Sequence, residues 1–222
     1  MDTPPVVAAA EGRAAREAFF AKDMAATEAR NALNAERRRL PWVKVDRDYE
    51  FEGPDGPATL RDLFGDARQL IVYHFFFQPG VADYPAGGCP GCSIFVDGLV
   101  HPAHVRARDT ALVLASPAPQ EANEGYKRRM GWERHTWYSI LGDDDFSRDF
   151  GVDEWFGLNV FIREGNDVFH TYWVSGPPAH GVGNVWSLLD LTPLGRQEEW
   201  EDSPAGYPHD PADSWVRRHD EH

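Results

Sequence analysis

Cysteine is nearly absent. The 222 residues contain two, Cys89 and Cys92, three positions apart. A pair that close encloses too short a loop to staple a fold, which excludes a disulfide scaffold and leaves redox or metal chemistry as their use. Two packed thiols with no chemical task are the plain alternative. Long apolar runs are missing too: no stretch approaches the roughly 20 apolar residues of a membrane span. Residues 1–5 (MDTPP) lack the basic region and apolar run of a secretion signal. These absences give a cytoplasmic protein as the expectation, with no membrane partner. Positive charge is also short. Lys and Arg number 22 against 36 Asp and Glu, a formal net charge of -14, which opposes phosphate backbones and so argues against nucleic acid as a partner. Solubility is the plain reading of that charge.

What is present suffices for a sizeable core, with 42% hydrophobic and 13% aromatic residues. Residues 13–39 are rich in Ala, Glu and Arg and carry Ala18, Phe19, Met24, Leu33 and Leu40 at loosely helical spacing. They predict a helix ended by Pro41, lying across the domain or across a second subunit, and its apolar residues make a homodimer the expectation. Residues 42–45 and 49–52 read as short strands with 53–57 (GPDGP) as a turn, and Thr59 as the cap of a short helix through Phe64.

Residues 69–77 (QLIVYHFFF) are apolar without alternation, as in a central parallel strand buried on both faces. A loop then leads to Cys89 and a helix carrying Ile94, Phe95, Val96 and Leu99. A helical piece at 104–108, a buried strand at 110–116, a helix at 120–130 and a strand at 136–140 follow. Residues 143–150 read as a short acidic helix or turn. Residues 158–163 and 168–174 form a hairpin across 164–167 (EGND), and 183–191 a last helix. This order predicts an α/β thioredoxin-like fold, a central mixed sheet flanked by helices. The expected divisions are an N-terminal helical extension at 1–40, the thioredoxin-like domain at 41–195, and an irregular C-terminal tail at 196–222 packed on it.

A Cys-x-x-Cys that follows a buried strand and opens a helix places its first sulfur where the helix dipole and free backbone N–H groups favour a thiolate. Cys89 is therefore the expected nucleophile and Cys92, one turn in and more buried, the resolving partner. Pro90 needs no N–H donor in the first turn, and Gly91 leaves the sulfur approachable. On this reading the chain is a thiol-disulfide oxidoreductase acting on a small-molecule or protein thiol or disulfide, and no cofactor is required.

The same two thiolates with an imidazole would also suit copper or zinc. His74, on the strand before the motif, and His104, after its helix, are the candidate ligands beside Cys89 and Cys92. His101 and His170 are more distant candidates. That alternative is a metal-dependent oxidoreductase or a metal-binding protein without turnover. For each histidine a core or surface role is the plain reading. Asp143, Asp144 and Asp145 lack the spacing of a calcium loop, Ser93 and Ser116 lack a nucleophile-elbow setting, and Tyr73, Phe75, Phe76 and Phe77 read as core, with the phenylalanines nearest the loop as the alternative lining of a substrate pocket.

Several stretches together resemble one family: 36–43 (ERRRLPWV), 69–75 (QLIVYHF), 88–93 (GCPGCS), 107–110 (ARDT), 127–132 (KRRMGW), 195–198 (GRQE) and 201–204 (EDSP). From about Ala25 to the end the chain is similar to the thioredoxin-like domain-of-unknown-function 899 family. The resemblance implies a fold related to thioredoxin and the peroxiredoxins. Thioredoxins place a cis-proline beside their cysteines, where this chain reads 156–160 (FGLNV) with no proline. Peroxiredoxins need Thr or Ser three residues before the reactive cysteine, where this chain has Ala86. Substrate presentation and peroxide reduction should differ accordingly.

Overall fold

The structure, a computed structural model, describes residues 6–81, 84–142, 145–152, 156–175, 178–179, 182, 185–203, 205–212 and 214. In chain order the elements are α1 (Ala9–Arg37), β1 (Val43–Lys44), β2 (Glu50–Gly53), β3 (Gly56–Thr59), a 3-10 turn (Asp62–Phe64), β4 (Gln69–His74), α2 (Pro90–Asp97), α3 (Pro102–Arg106), β5 (Thr110–Ser116), α4 (Gln120–Met130), β6 (Thr136–Ile140), α5 (Asp145–Asp149), β7 (Gly157–Glu164), β8 (Asp167–Ser175) and α6 (Val185–Asp190).

The eight strands form one mixed sheet in the order β1-β8-β7-β4-β5-β6-β2-β3. β4 and β5 run parallel, as do β5 and β6, while β7 lies antiparallel to β4 and β8 antiparallel to β7. A β-α-β crossover, then an antiparallel hairpin and a closing helix, with spatial order β5-β4-β7-β8, is the thioredoxin topology. β6 is added as a further parallel strand. The crossovers β4 to β5 and β5 to β6 advance across the sheet in one direction, so a common handedness puts their helices on one face. Accordingly, Val96 of α2, Val105 of α3, Tyr126 of α4 and Leu188 of α6 share one core with Ile71, Tyr73, Leu112 and Leu114 of the sheet. Leu70, Val72, Ala111 and Val113 point the other way, onto Phe51, Phe64 and Phe146. All six residues of β4 and all seven of β5 are buried, as strands covered on both faces must be.

Several local expectations are corrected. The strand begun at Gln69 ends at His74, and Phe75 adds one further bond, its N–H donating to Ala115 O at 2.8 Å. The 53–57 stretch is a tight reversal rather than a five-residue turn, because Gly56, at φ 107°, starts β3 and pairs with Gly53. Thr59 does not cap the next turn: its N–H and hydroxyl both donate to the Asp62 carboxylate, at 2.8 and 2.7 Å. The first helix begins earlier than expected, at Ala9. Of the acidic run, Asp145 opens α5, whereas Asp143 and Asp144 lie outside the described residues, as do Gly183 and Asn184 of the expected last helix.

Five of the seven stretches that carry the family resemblance contribute to one polar knot. Arg38 and Glu201 form a buried ion pair at 3.1 Å, and Arg38 also donates to Asp202 O. Arg108 donates to the carbonyls of Arg196 and Gln197, and the Gln197 amide donates back to Arg108 O at 3.1 Å. Leu194 N–H donates to the Gln69 side chain. The end of α1, the approach to β5 and the segment after α6 are thus tied through groups that would otherwise be buried unpaired. No helix among the described residues is long and apolar enough to cross a membrane.

Candidate functional site

Beyond β4 the chain runs through Phe75, Phe76 and Phe77, loops out, and returns so that Cys89 N–H donates to Phe76 O at 3.2 Å. Gly88 makes that return possible. A Cβ there would stand 2.4 Å from the Phe75 ring and 3.2 Å from Phe77, so no side chain fits. α2 starts at the next residue, Pro90, which has no N–H to leave unpaired in the first turn. Ser93 then secures the turn: its N–H and its hydroxyl both donate to Cys89 O, at 3.0 and 2.9 Å, and the hydroxyl also shares a 2.7 Å bond with Tyr126 OH of α4.

Cys89 is partly exposed and Cys92 is buried; both are free thiols and they lie within 3.7 Å of each other. An S–S bond needs about 2.05 Å, so the reduced pair requires only a small movement to close. Burial pushes the Cys92 thiol up to about 12, against the opposing pull of the Phe76 N–H and the Tyr73 hydroxyl. Tyr73 is fully buried on β4 and its ring stacks on Phe95 of α2, with centroids 4.4 Å apart and planes 5° from parallel. Phe75, Phe77, Tyr126, Trp132 and Trp137 pack ring against ring beside the thiols, with centroid separations from 4.9 to 6.3 Å. Where thioredoxins place a proline, Phe156 packs against this cluster.

The candidate histidines are not gathered at the thiols. Side chains alternate along a strand, so His74 faces away from Tyr73 and lies on the opposite side of the sheet from Cys92, stacked on Phe146 at 5.2 Å. It belongs to a buried chain there. His170 Nε2–H donates to Asn159 Oδ1 at 2.6 Å, Asn159 Nδ2–H donates to His74 Nε2 at 3.1 Å, and His74 Nδ1–H donates to Ser147 Oγ at 3.2 Å. Burial, and each other's proximity in the case of His74, lowers these imidazoles to about 3 for His74 and about 4 for His170, which keeps both neutral. His104 lies on α3, its ring 6.4 Å from that of His101, whose Nδ1 accepts the Ala103 N–H. Among the described residues no three or more His, Cys, Asp or Glu side chains are grouped to hold a metal. Of the four ligands in the metal reading, the structure brings together Cys89 and Cys92 and turns His74 away.

Sequence reasoning passed over Tyr73, Ser93 and Tyr126 as site residues. The only signal for Tyr73 was a hydroxyl inside an otherwise apolar buried run. Ser93 and Tyr126 are a helical turn from Cys89 and on a different helix, so nothing in the spacing links them.

A family model matches residues 1–222. The chain belongs to the DUF899 family. That family is described as bacterial protein of unknown function. Solved structures similar to this DUF899 chain include a secreted Mycobacterium tuberculosis disulfide oxidoreductase, 14% identical, covering 65% of this chain and 88% of its own at a TM-score of 0.39. Another is peroxiredoxin Q of Xanthomonas campestris, 13% identical, covering 64% and 88% at a TM-score of 0.40. No curated protein matches the DUF899 chain. Likenesses this distant do not bear on its activity; the thioredoxin-like fold stands on the strand order and the placement of α2 described above.

Proposed function

We propose that this DUF899 chain is a thiol-disulfide oxidoreductase in which Cys89 is the nucleophile and Cys92 the resolving thiol. The observation that carries the reading is the asymmetry of the pair: a partly exposed sulfur at the mouth of α2 with a buried free thiol 3.7 Å behind it. Only Cys89 can meet a substrate directly. Its thiolate attacks one sulfur of a substrate disulfide, forming a mixed disulfide and expelling the other sulfur as a thiolate that takes up a proton. The Cys92 sulfur then attacks Cys89 while its proton goes to the leaving substrate sulfur. The products are two substrate thiols and a Cys89–Cys92 disulfide, so the substrate gains two electrons and the protein loses two. An external dithiol restores the reduced pair by the same exchange run backwards.

The Ser93–Tyr126 bond supports this reading because it holds the Cys89 carbonyl, and with it the first turn of α2, fixed while the sulfur changes partner. The apolar ring cluster around the thiols favours substrates with apolar or aromatic groups flanking the disulfide. The test is reduction of a small aromatic disulfide with a dithiol as electron donor. Wild type should turn over, Cys89→Ser should not, and Cys92→Ser should stop at a stable mixed disulfide. Full activity in Cys89→Ser would overturn the assignment.

A further inference from the structure

Fully buried hydroxyls almost always have partners, because each left without one loses its hydration with nothing in exchange. Tyr73 is an exception at a telling place. Its hydroxyl meets no nitrogen or oxygen partner among the described residues; it lies in one buried cluster with Cys92 and Cys89, and the group it interacts with most is the Cys92 thiol. The ring has no freedom to turn the hydroxyl elsewhere. It is fully buried, stacked flat on Phe95 and edge-on to Phe75, whose centroid is 6.4 Å away. The other donor at Cys92 is the Phe76 backbone N–H, fixed by the end of β4. A neutral thiol is a weak acceptor and holds the hydroxyl only weakly, whereas a thiolate is a strong one.

We propose that Tyr73 is a positioning residue for the resolving step: its O–H donates to the Cys92 sulfur, and that bond strengthens as the sulfur becomes anionic. This rests on the exchange chemistry proposed above and deepens it, because it assigns the second half of the cycle a group of its own. Together with the Phe76 N–H it gives the attacking sulfur two donors. Once the Cys89–Cys92 bond has formed the charge is gone and the tyrosine bond relaxes again, so the hydroxyl favours passage through the anion over either resting state. No proton is consumed: Tyr73 keeps its own, and the Cys92 proton leaves with the substrate thiol.

Two measurements test this on the full-length protein with Tyr73→Phe, which removes one oxygen and keeps the stacked ring. In the first, a small aromatic disulfide that releases a coloured thiol is mixed with reduced protein in single turnover. The first equivalent of colour reports attack by Cys89 and the second reports resolution by Cys92. Tyr73→Phe should leave the first phase unchanged, slow the second about tenfold and move its pH midpoint up by about one pH unit, the size expected for losing one hydrogen bond to a charged group. An unchanged second phase, or equal slowing of both phases, would overturn the proposal.

In the second, the pH dependence of Cys92 alkylation is followed by peptide mass spectrometry in Cys89→Ser, with and without Tyr73→Phe. An upward displacement in the double variant supports the assignment, and coincident curves would overturn it. This second readout needs no turnover. A wild-type protein that releases no coloured thiol would sink the oxidoreductase reading while the alkylation curves still decide the role of Tyr73.

Discussion

Two buried polar clusters, one on each face of the sheet, are built in opposite ways. On the face opposite α2, α3, α4 and α6, Ser147 of α5, His74, Asn159 and His170 form a continuous hydrogen-bonded chain, and both histidines are held neutral. On the face of α2, α3, α4 and α6, two free thiols stand within 3.7 Å and the Tyr73 hydroxyl beside them has no nitrogen or oxygen partner. A satisfied network gains nothing by reacting. An unsatisfied one stores a preference for a state it is not yet in. The histidines His74 and His170 are thus tied into a satisfied network, and the proposed exchange chemistry is assigned to the face that carries the thiols.

The sharpest way to break this comparison is to swap the expected effects. Cys89→Ser should abolish disulfide reduction and leave the thermal midpoint where it was. Asn159→Ala should do the reverse. It leaves nitrogens of both His74 and His170 unpaired, at about 1–3 kcal/mol each, so the urea midpoint should fall clearly while thiol reactivity stays the same. A loss of reduction in Asn159→Ala at temperatures where it remains folded would join the two faces functionally and contradict the division.

Acidity probes the same network. His74 and His170 are depressed to about 3 and about 4, and His135, also buried, to about 4. The unfolded chain protonates these residues near the ordinary value of about 6.5, and the folded one does not until far lower. Stability is thus full above about pH 6.5 and is lost as pH falls from there towards 4, by up to about 1.4 kcal/mol per pH unit for each histidine. Denaturant midpoints measured from pH 8 to pH 4 should be level and then fall; a flat profile across that window would mean the histidines are not buried neutral. The smallest effect is expected at Gly88→Ala. The new methyl meets the Phe75 ring at 2.4 Å and displaces the turn before Cys89, costing about 1–3 kcal/mol and slowing the first phase of disulfide attack.

Much of this was legible in the sequence because it depends on local pattern. The unbroken apolar run from Gln69, the motif placed after it, α4 at Gln120–Met130 and the hairpin with its Gly165–Asn166 turn all follow from composition and turn chemistry. What escaped depends on parity and on distant partners. His74 is next to Tyr73 in sequence and on the wrong side of the sheet for the thiols, a one-residue difference that decides a ligand set. β3 was hidden because Gly56 and Pro57 read as turn residues, yet their partners Gly53 and Glu52 supply the pairing. The link from Ser93 to Tyr126 spans 33 positions, and no spacing rule could have found it.

The most direct test is mass analysis of Cys92→Ser after brief exposure to a small disulfide, with Cys89→Ser treated in parallel. The account predicts one mixed-disulfide adduct per chain, on Cys89, in the first variant and none in the second. An adduct on Cys92 in Cys89→Ser, or none on Cys89 in Cys92→Ser, would contradict it.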